Sequence, residues 1–123
     1  MDKKLVIIAE DEAAYGKILE DTLVKEGCYV LKVYNGDELM TFAKSRHPEL
    51  IILDLVMPIK NGFEVLEEMK KDEDLKDIKI IALSNLSQEA DIAKAKRLGA
   101  DDYIVKSDET FYQVIDRIKK LLN

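Results

Sequence analysis

Four polar groups stand directly after short apolar runs. Glu10-Asp11-Glu12 follows Leu5 to Ala9, Asp54 follows Leu50 to Leu53, Ser84-Asn85 follows Lys79 to Leu83, and Lys106-Ser107 follows Tyr103 to Val105. In an open α/β sheet the crevice beyond the carboxyl ends of the strands is where ligands bind, so strand ends of this kind bring acids, a hydroxyl and an ammonium together. Carboxylates crowded at one edge repel and raise one another's pKa unless a cation intervenes. Mg²⁺ suits oxygen ligands, takes one or two carboxylates plus waters and a phosphate oxygen, and neutralises charge on a transferring phosphoryl group. Asp54 then reads as a nucleophile, by analogy with other aspartyl-phosphate chemistry. Lys106 can hold a phosphate oxygen or the Asp54 carboxylate as a movable point charge, and Ser84 can donate its hydroxyl to another phosphate oxygen. Together these are the parts that phosphoryl transfer requires.

Taken one at a time, each residue has a plainer reading. The acidic triplet suits a helix N-terminus, where the macrodipole welcomes negative charge. Asp54 suits a turn opening the loop from Pro58 to Gly62. Lys106 reads as a solvated strand-end lysine, Ser84 as a turn hydroxyl and Tyr103 as a half-buried strand aromatic. Only their convergence favours chemistry. His47, in Arg46-His47-Pro48, is expected on a surface loop away from the site.

The elements that must position these groups follow from periodicity. Short apolar runs alternate with stretches of helical period, the mark of a parallel sheet covered on both faces. Five strands are expected, at Leu5 to Ala9, Tyr29 to Tyr34, Leu50 to Leu53, Lys79 to Leu83 and Tyr103 to Val105. The first, third and fourth are nearly unbroken Val, Ile and Leu and read as central. Helical stripes are Ile18, Leu19, Thr22 and Leu23, then Leu39, Phe42 and Ala43, then Leu66 with Met69. The closing helix sets Phe111, Val114, Ile115, Ile118, Leu121 and Leu122 against Asp116, Arg117, Lys119 and Lys120. Gly27 and Gly99 stand where helices end, Ser87 is placed to cap the following helix, and Asn35-Gly36 and Asn61-Gly62 mark turns.

The chain's 123 residues suit one domain, 1–123, with one substantial core. At 47% hydrophobic and 36% charged it has the balance of a soluble globular protein. A net charge of −6 and a pI near 4.9 argue against direct binding to a nucleic-acid backbone. Cys28 is the only cysteine, so no intramolecular disulfide forms, which fits a cytoplasmic protein. Met1-Asp2-Lys3-Lys4 and the brief run after it do not make a signal peptide, and no apolar run reaches membrane-spanning length.

Four blocks in order, LVIIAEDE, IILDLVMPIKNG, IIALSN and GADDYIVKS, closely resemble the motifs of bacterial response-regulator receiver domains of the chemotaxis-regulator kind. The resemblance covers essentially the whole chain. It implies a flavodoxin-like, doubly wound, five-stranded parallel sheet of order 2-1-3-4-5 flanked by five helices. By the same match, Glu10 and Asp11 are the acidic pair, Asp54 the phosphoacceptor, Ser84 and Tyr103 the switch positions and Lys106 the conserved-type lysine. Asp11, Asp54 and the backbone carbonyl of Val56 then ligate Mg²⁺, and Glu10 reaches it through water. The implied function is a phosphoswitch of a two-component or phosphorelay system. It is served by a sensor histidine kinase or phosphotransfer protein and assists only its own phosphorylation and slow dephosphorylation. Output passes to a downstream protein or homodimer over the fourth helix, fifth strand and fifth helix, where Lys94, Asp101, Asp102 and Arg117 offer charge.

The chain departs from this pattern at five positions. Glu10 replaces the commoner Asp, adding a methylene but keeping the charge. Asn85 stands where a small residue is usual and narrows the mouth of the pocket. Ser107 replaces a proline, which favours a trans peptide after Lys106 because a non-proline cis bond costs roughly 2.5 to 4 kcal/mol. Val56 and Leu86 are apolar where polar side chains would orient an attacking water, so slow self-dephosphorylation is expected. Val56 also sits where a two-aspartate phosphatase needs its second acid, which argues against that activity. Glu10-Asp11-Glu12 argues against a nucleotide-binding module, which needs a glycine-rich loop there. The remaining alternative is a pseudo-receiver, an interaction module that never takes phosphate.

Overall fold

A computed structural model describes residues 3–123, so Met1 and Asp2 and any reading of the extreme N-terminus lie outside it. The chain alternates strand and helix throughout: β1 (Leu5–Ala9), α1 (Ala13–Lys25), β2 (Tyr29–Val33), α2 (Gly36–Arg46), β3 (Leu50–Leu53), α3 (Gly62–Lys71), β4 (Lys79–Ser84), α4 (Glu89–Arg97), β5 (Asp102–Val105) and α5 (Phe111–Leu122). The strands form one parallel sheet in the order β2-β1-β3-β4-β5. The three expected central strands, β1, β3 and β4, are central. Register aligns Ala9 with Leu53, Leu53 with Ala82, and Ser84 with Val105, which brings the carboxyl ends of four strands level.

Both faces of the sheet are covered, and this explains the unbroken apolar runs. Ile7, Ala9, Ile51, Leu53, Ile80 and Ala82 pack with Leu39, Ala43, Leu66, Met69 and Ala95 of α2, α3 and α4. The alternate residues Val6, Ile8, Leu50, Ile52, Ile81 and Leu83 pack with Leu19, Leu23, Val114, Ile118 and Leu122 of α1 and α5. A period of two within the central strands thus feeds two cores, so β1 and β3 are apolar at every position and β4 from Ile80 to Leu83. The central residues are wholly buried, so trimming one such Ile or Leu to Ala costs about 2–5 kcal/mol.

Several local expectations shift. β2 ends at Val33, because the Tyr34 N–H donates to Glu38 Oε1 at 2.9 Å and joins the start of α2. Ser84 belongs to β4 rather than following it, and β5 begins one residue early at Asp102. Asn35 and Asn61 are helix caps rather than turn residues: their Oδ1 atoms accept from the Glu38 N–H at 2.9 Å and the Glu64 N–H at 3.0 Å. At α3 the Glu64 carboxylate also accepts from the Asn61 N–H at 3.2 Å, completing a capping box. Ser87 does not cap α4; Gln88 holds that position without a side-chain bond. Ile18 faces outward at 52% exposure, so the buried stripe of α1 is Gly16, Leu19 and Leu23. Gly27 and Gly99 end α1 and α4 with φ of 93° and 118°, as their helix-ending place implies.

The β3–α3 connection contains a three-residue turn. Lys60 N–H donates to the Pro58 carbonyl at 2.8 Å, closing a γ-turn around Ile59, whose φ is 70°. Ile59 is β-branched and 75% exposed, so neither its backbone preference nor burial favours it there. Gly62 starts α3 against the strand end: a Cβ on it would lie 2.7 Å from Leu55 Cα and 2.8 Å from the Asp54 carbonyl oxygen. That absent side chain lets α3 close over the loop that carries Asp54.

Candidate functional site

Asp54 leaves β3 with its backbone N–H bonded to the Ala9 carbonyl at 2.9 Å and its carboxylate turned back to accept from the Val56 N–H at 3.1 Å. It is buried, as are Glu10 and Ser84. Glu10 follows β1 and its N–H donates to the Val33 carbonyl at 3.3 Å. Oxygen atoms of Glu10, Asp11 and Asp54 all lie within 4.8 Å of one another, with Asp11 exposed. This all-oxygen cluster fits a hard divalent cation and offers no soft ligand for a transition metal. A cavity of about 270 Å³ opens over it, lined by Asp11, Asp54, Val56, Ser84, Asn85 and Lys106 among others. A larger cavity, about 470 Å³, lies beside Lys4, Leu23, Cys28 and Leu122 and brings no comparable set of acids together.

Lys106 follows β5 and reaches the same crevice. Its ammonium forms a short ion pair with Glu10, lies 3.2 Å from Glu12 Oε1 and 3.9 Å from Asp54 Oδ2. Burial works against the Lys106 charge, but the Glu10 carboxylate outweighs it and the pKa is raised. Asp54 is pushed up to about 7, first by burial and next by the adjacent Glu10 carboxylate; the Val56 N–H and Lys106 oppose this without cancelling it. The resemblance implied that Glu10 serves the metal through water and Lys106 serves Asp54 or phosphate. In the structure the Lys106 ammonium pairs most closely with Glu10 and lies 3.9 Å from Asp54 Oδ2.

Ser84 and Tyr103 converge on one backbone segment. Ser84 Oγ accepts from the Leu86 N–H at 3.3 Å, and the Tyr103 hydroxyl donates to the Leu86 carbonyl at 2.7 Å. Tyr103 is buried, and burial raises its pKa. Asn85 is exposed at the cavity rim, where its bulk was expected to narrow the mouth. Val56 is 57% exposed. No cis peptide occurs among the described residues, so Lys106–Ser107 is trans. His47 is exposed at the end of α2, away from these groups, with a φ of 48°.

The charges expected to face a partner over α4, β5 and α5 are largely engaged within the chain. Arg117 bonds Asp102 at 2.5 and 3.0 Å, the Tyr103 carbonyl at 3.0 Å, and Glu109 by a short contact. Asp101 Oδ2 accepts from the Ile80 N–H at 2.8 Å, and Lys94 lies 4.6 Å from the Phe63 ring centre. Sequence reasoning also missed Tyr15, whose ring centre is 4.8 Å from the Lys106 ammonium. The only signal was its spacing, one helical turn after Glu12.

A doubly wound parallel sheet with three acids, a lysine and a hydroxyl at its carboxyl edge defines an α/β domain with a ligand crevice beyond its strand ends. The chain belongs to the response regulator receiver domain family, which its residues 6–118 match. It is 40% identical over 106 residues to the probable transcriptional regulator ycf27 of Porphyridium aerugineum, covering 86% of this chain and 43% of that protein. The chain thus spans less than half the length of that relative. Among solved structures it resembles the phosphorylated cyanobacterial phytochrome response regulator RcpA (TM-score 0.89, 30% identity, 98% of this chain and 94% of that one). It also resembles the Mn²⁺-bound form of response regulator Rcp1 (TM-score 0.79, 27% identity, 97% and 89%). Receiver domains of this family act in two-component systems opposite histidine kinases or phosphotransfer proteins. No described helix is long and apolar enough to cross a membrane.

Proposed function

We propose that Asp54 accepts a phosphoryl group from a phosphohistidine on a sensor histidine kinase or phosphotransfer protein. The observation that carries this reading is the convergence of the buried Asp54 with the Glu10 and Asp11 carboxylates, within 4.8 Å, beneath an open cavity. An Asp54 oxygen attacks phosphorus, the P–N bond of the donor breaks, and the released imidazole nitrogen keeps the electron pair and takes a proton. Asp11, Asp54 and the Val56 carbonyl would hold Mg²⁺, with Glu10 reaching it through water. When bound, the ion neutralises negative charge on the phosphoryl oxygens. The Mn²⁺-bound Rcp1 relative supports a divalent ion here.

The protein's own groups do the rest. Lys106, 3.9 Å from Asp54, supplies positive charge to a phosphoryl oxygen, and Ser84 supplies its hydroxyl to another. Ser84 Oγ accepts from the Leu86 N–H while its own O–H is free to donate to the phosphoryl group, so a movement of Ser84 toward that group would pull on the Leu86 segment, whose carbonyl accepts from the Tyr103 hydroxyl. Output then runs over the α4, β5 and α5 face to a downstream protein or a second copy, in a cytoplasmic setting and without direct contact to nucleic acid. The domain assists only its own phosphorylation and dephosphorylation.

The test is intact mass after incubation with Mg²⁺ and acetyl phosphate. The wild type should gain one phosphoryl group; Asp54→Asn, or the wild type with chelator, should gain none. A wild type that gains none is instead an interaction module that never takes phosphate.

A further inference from the structure

Lys106 makes its close contacts with acids other than Asp54. Two of its three N–H donors are engaged by Glu10 and by Glu12, the latter at 3.2 Å, whereas the Asp54 oxygen at 3.9 Å lies beyond hydrogen-bonding distance. The Tyr15 ring centre is 4.8 Å from the same ammonium, inside the range in which a ring face attracts a cation. The side chain is only 6% exposed, so these groups stand in for water around the charge.

The holding groups are themselves fixed. Glu12 stands at the N-cap position of α1 without a side-chain capping bond, and its N–H donates to Glu10 Oε2 at 3.3 Å. Tyr15 lies one turn further along α1, half-buried, with Phe111 packed edge-on at 6.1 Å between centroids. A divalent ion held by the acid cluster would compete with Lys106 for Glu10, but neither Glu12 nor Tyr15 belongs to that cluster. Their hold on the lysine therefore persists until a phosphoryl oxygen replaces it.

We propose that Glu12 and Tyr15 form a holding site for Lys106 that competes with the phosphoryl group on Asp54, and so act as positioning residues that set how tightly the domain takes that group. This rests on Asp54 being the phosphoacceptor. Glu12 offers a carboxylate and Tyr15 a ring face, and each must be given up as the ammonium crosses to the new anion. Removing either one favours the crossed position. An exposed ion pair and a cation–π contact each correspond to about a two- to fivefold change in the competing equilibrium.

The experiment titrates beryllofluoride, with Mg²⁺ present, into the wild type, Glu12→Gln, Tyr15→Leu and Tyr15→Phe, following backbone amide resonances. The ε-methylene proton shifts of Lys106 are recorded before titration. Glu12→Gln and Tyr15→Leu should each bind about two- to fivefold more tightly than wild type, and Tyr15→Phe should match wild type. The Lys106 ε-protons should be shifted upfield by the ring in the wild type and Tyr15→Phe and return to ordinary lysine values in Tyr15→Leu. A responsive wild type whose Glu12→Gln and Tyr15→Leu variants bind no more tightly overturns the holding site alone. So does an upfield shift that survives Tyr15→Leu. A wild type silent to beryllofluoride overturns the phosphoacceptor reading, and the holding site with it.

Discussion

The position of Asp54 makes its charge costly. Burial and the Glu10 carboxylate lift its pKa from 3.8 to about 7, so between those values the folded protein binds a proton that the unfolded chain does not. Stability without metal therefore falls as pH rises through that window, at a slope of roughly 1.4 kcal/mol per pH unit at its steepest. Denaturant melts in chelator should give a higher midpoint at about pH 5 than at about pH 7.5, and Asp54→Asn should flatten the difference. Around the same residue, Val56 and Leu86 offer no polar atom from their side chains to orient water. A Val56→Asn, Leu86→Glu double variant should lose its phosphoryl group about tenfold faster than wild type, a modest share of what positioned proton-transfer groups supply. One decay curve per variant checks it, and equal rates would sink the idea.

At the scale of elements, the β3–α3 loop holds two residues whose substitution by or from glycine should act in opposite directions. Ile59 sits at a φ of 70° with its side chain in solvent, so Ile59→Gly should stabilise by about 1 kcal/mol, the relief of a left-handed β-branched residue less the entropy glycine adds to the unfolded chain. Gly62 has an ordinary place at a helix start but no room: a Cβ would press on the Asp54 carbonyl and Leu55. Gly62→Ala should cost about 2 kcal/mol and disturb the loop bearing Asp54. Thermal melts of both variants measure the signs directly. The helix caps teach a related lesson. Asn35 and Asn61 were readable as breaks in the sequence, but an Asn-Gly pair suits a turn or a cap, and only the Glu38 and Glu64 N–H groups arriving at their side chains decide for the cap.

For the whole molecule, the proposed binding of a divalent ion at the acid cluster would couple to global stability, since an ion that binds only the folded form stabilises it by mass action. Saturation at about one hundred times the dissociation constant should add about 2.7 kcal/mol. The gain should be larger at about pH 7.5 than at about pH 5, because the ion needs Asp54 ionised. Melting with and without Mg²⁺ at the two pH values measures it, and equal gains would contradict the raised pKa of Asp54.

The sequence alone carried the five strands, the three central ones, the closing amphipathic helix and the identity of the residues at the strand ends, because these rest on period and on chemistry local to a few positions. It carried the site as a set of residues, since a parallel sheet puts every strand end at one edge. It did not carry who pairs with whom. Lys106 and Glu10 are separated by almost the whole chain, and their ion pair forms only because β1 and β5 end at the same edge of the sheet. Arg117, expected to look outward, turns to Asp102 and Glu109 for the same kind of reason. Side-chain pairing in a crevice is settled by ångström-scale reach among several competing charges, and only the assembled tertiary structure fixes those distances.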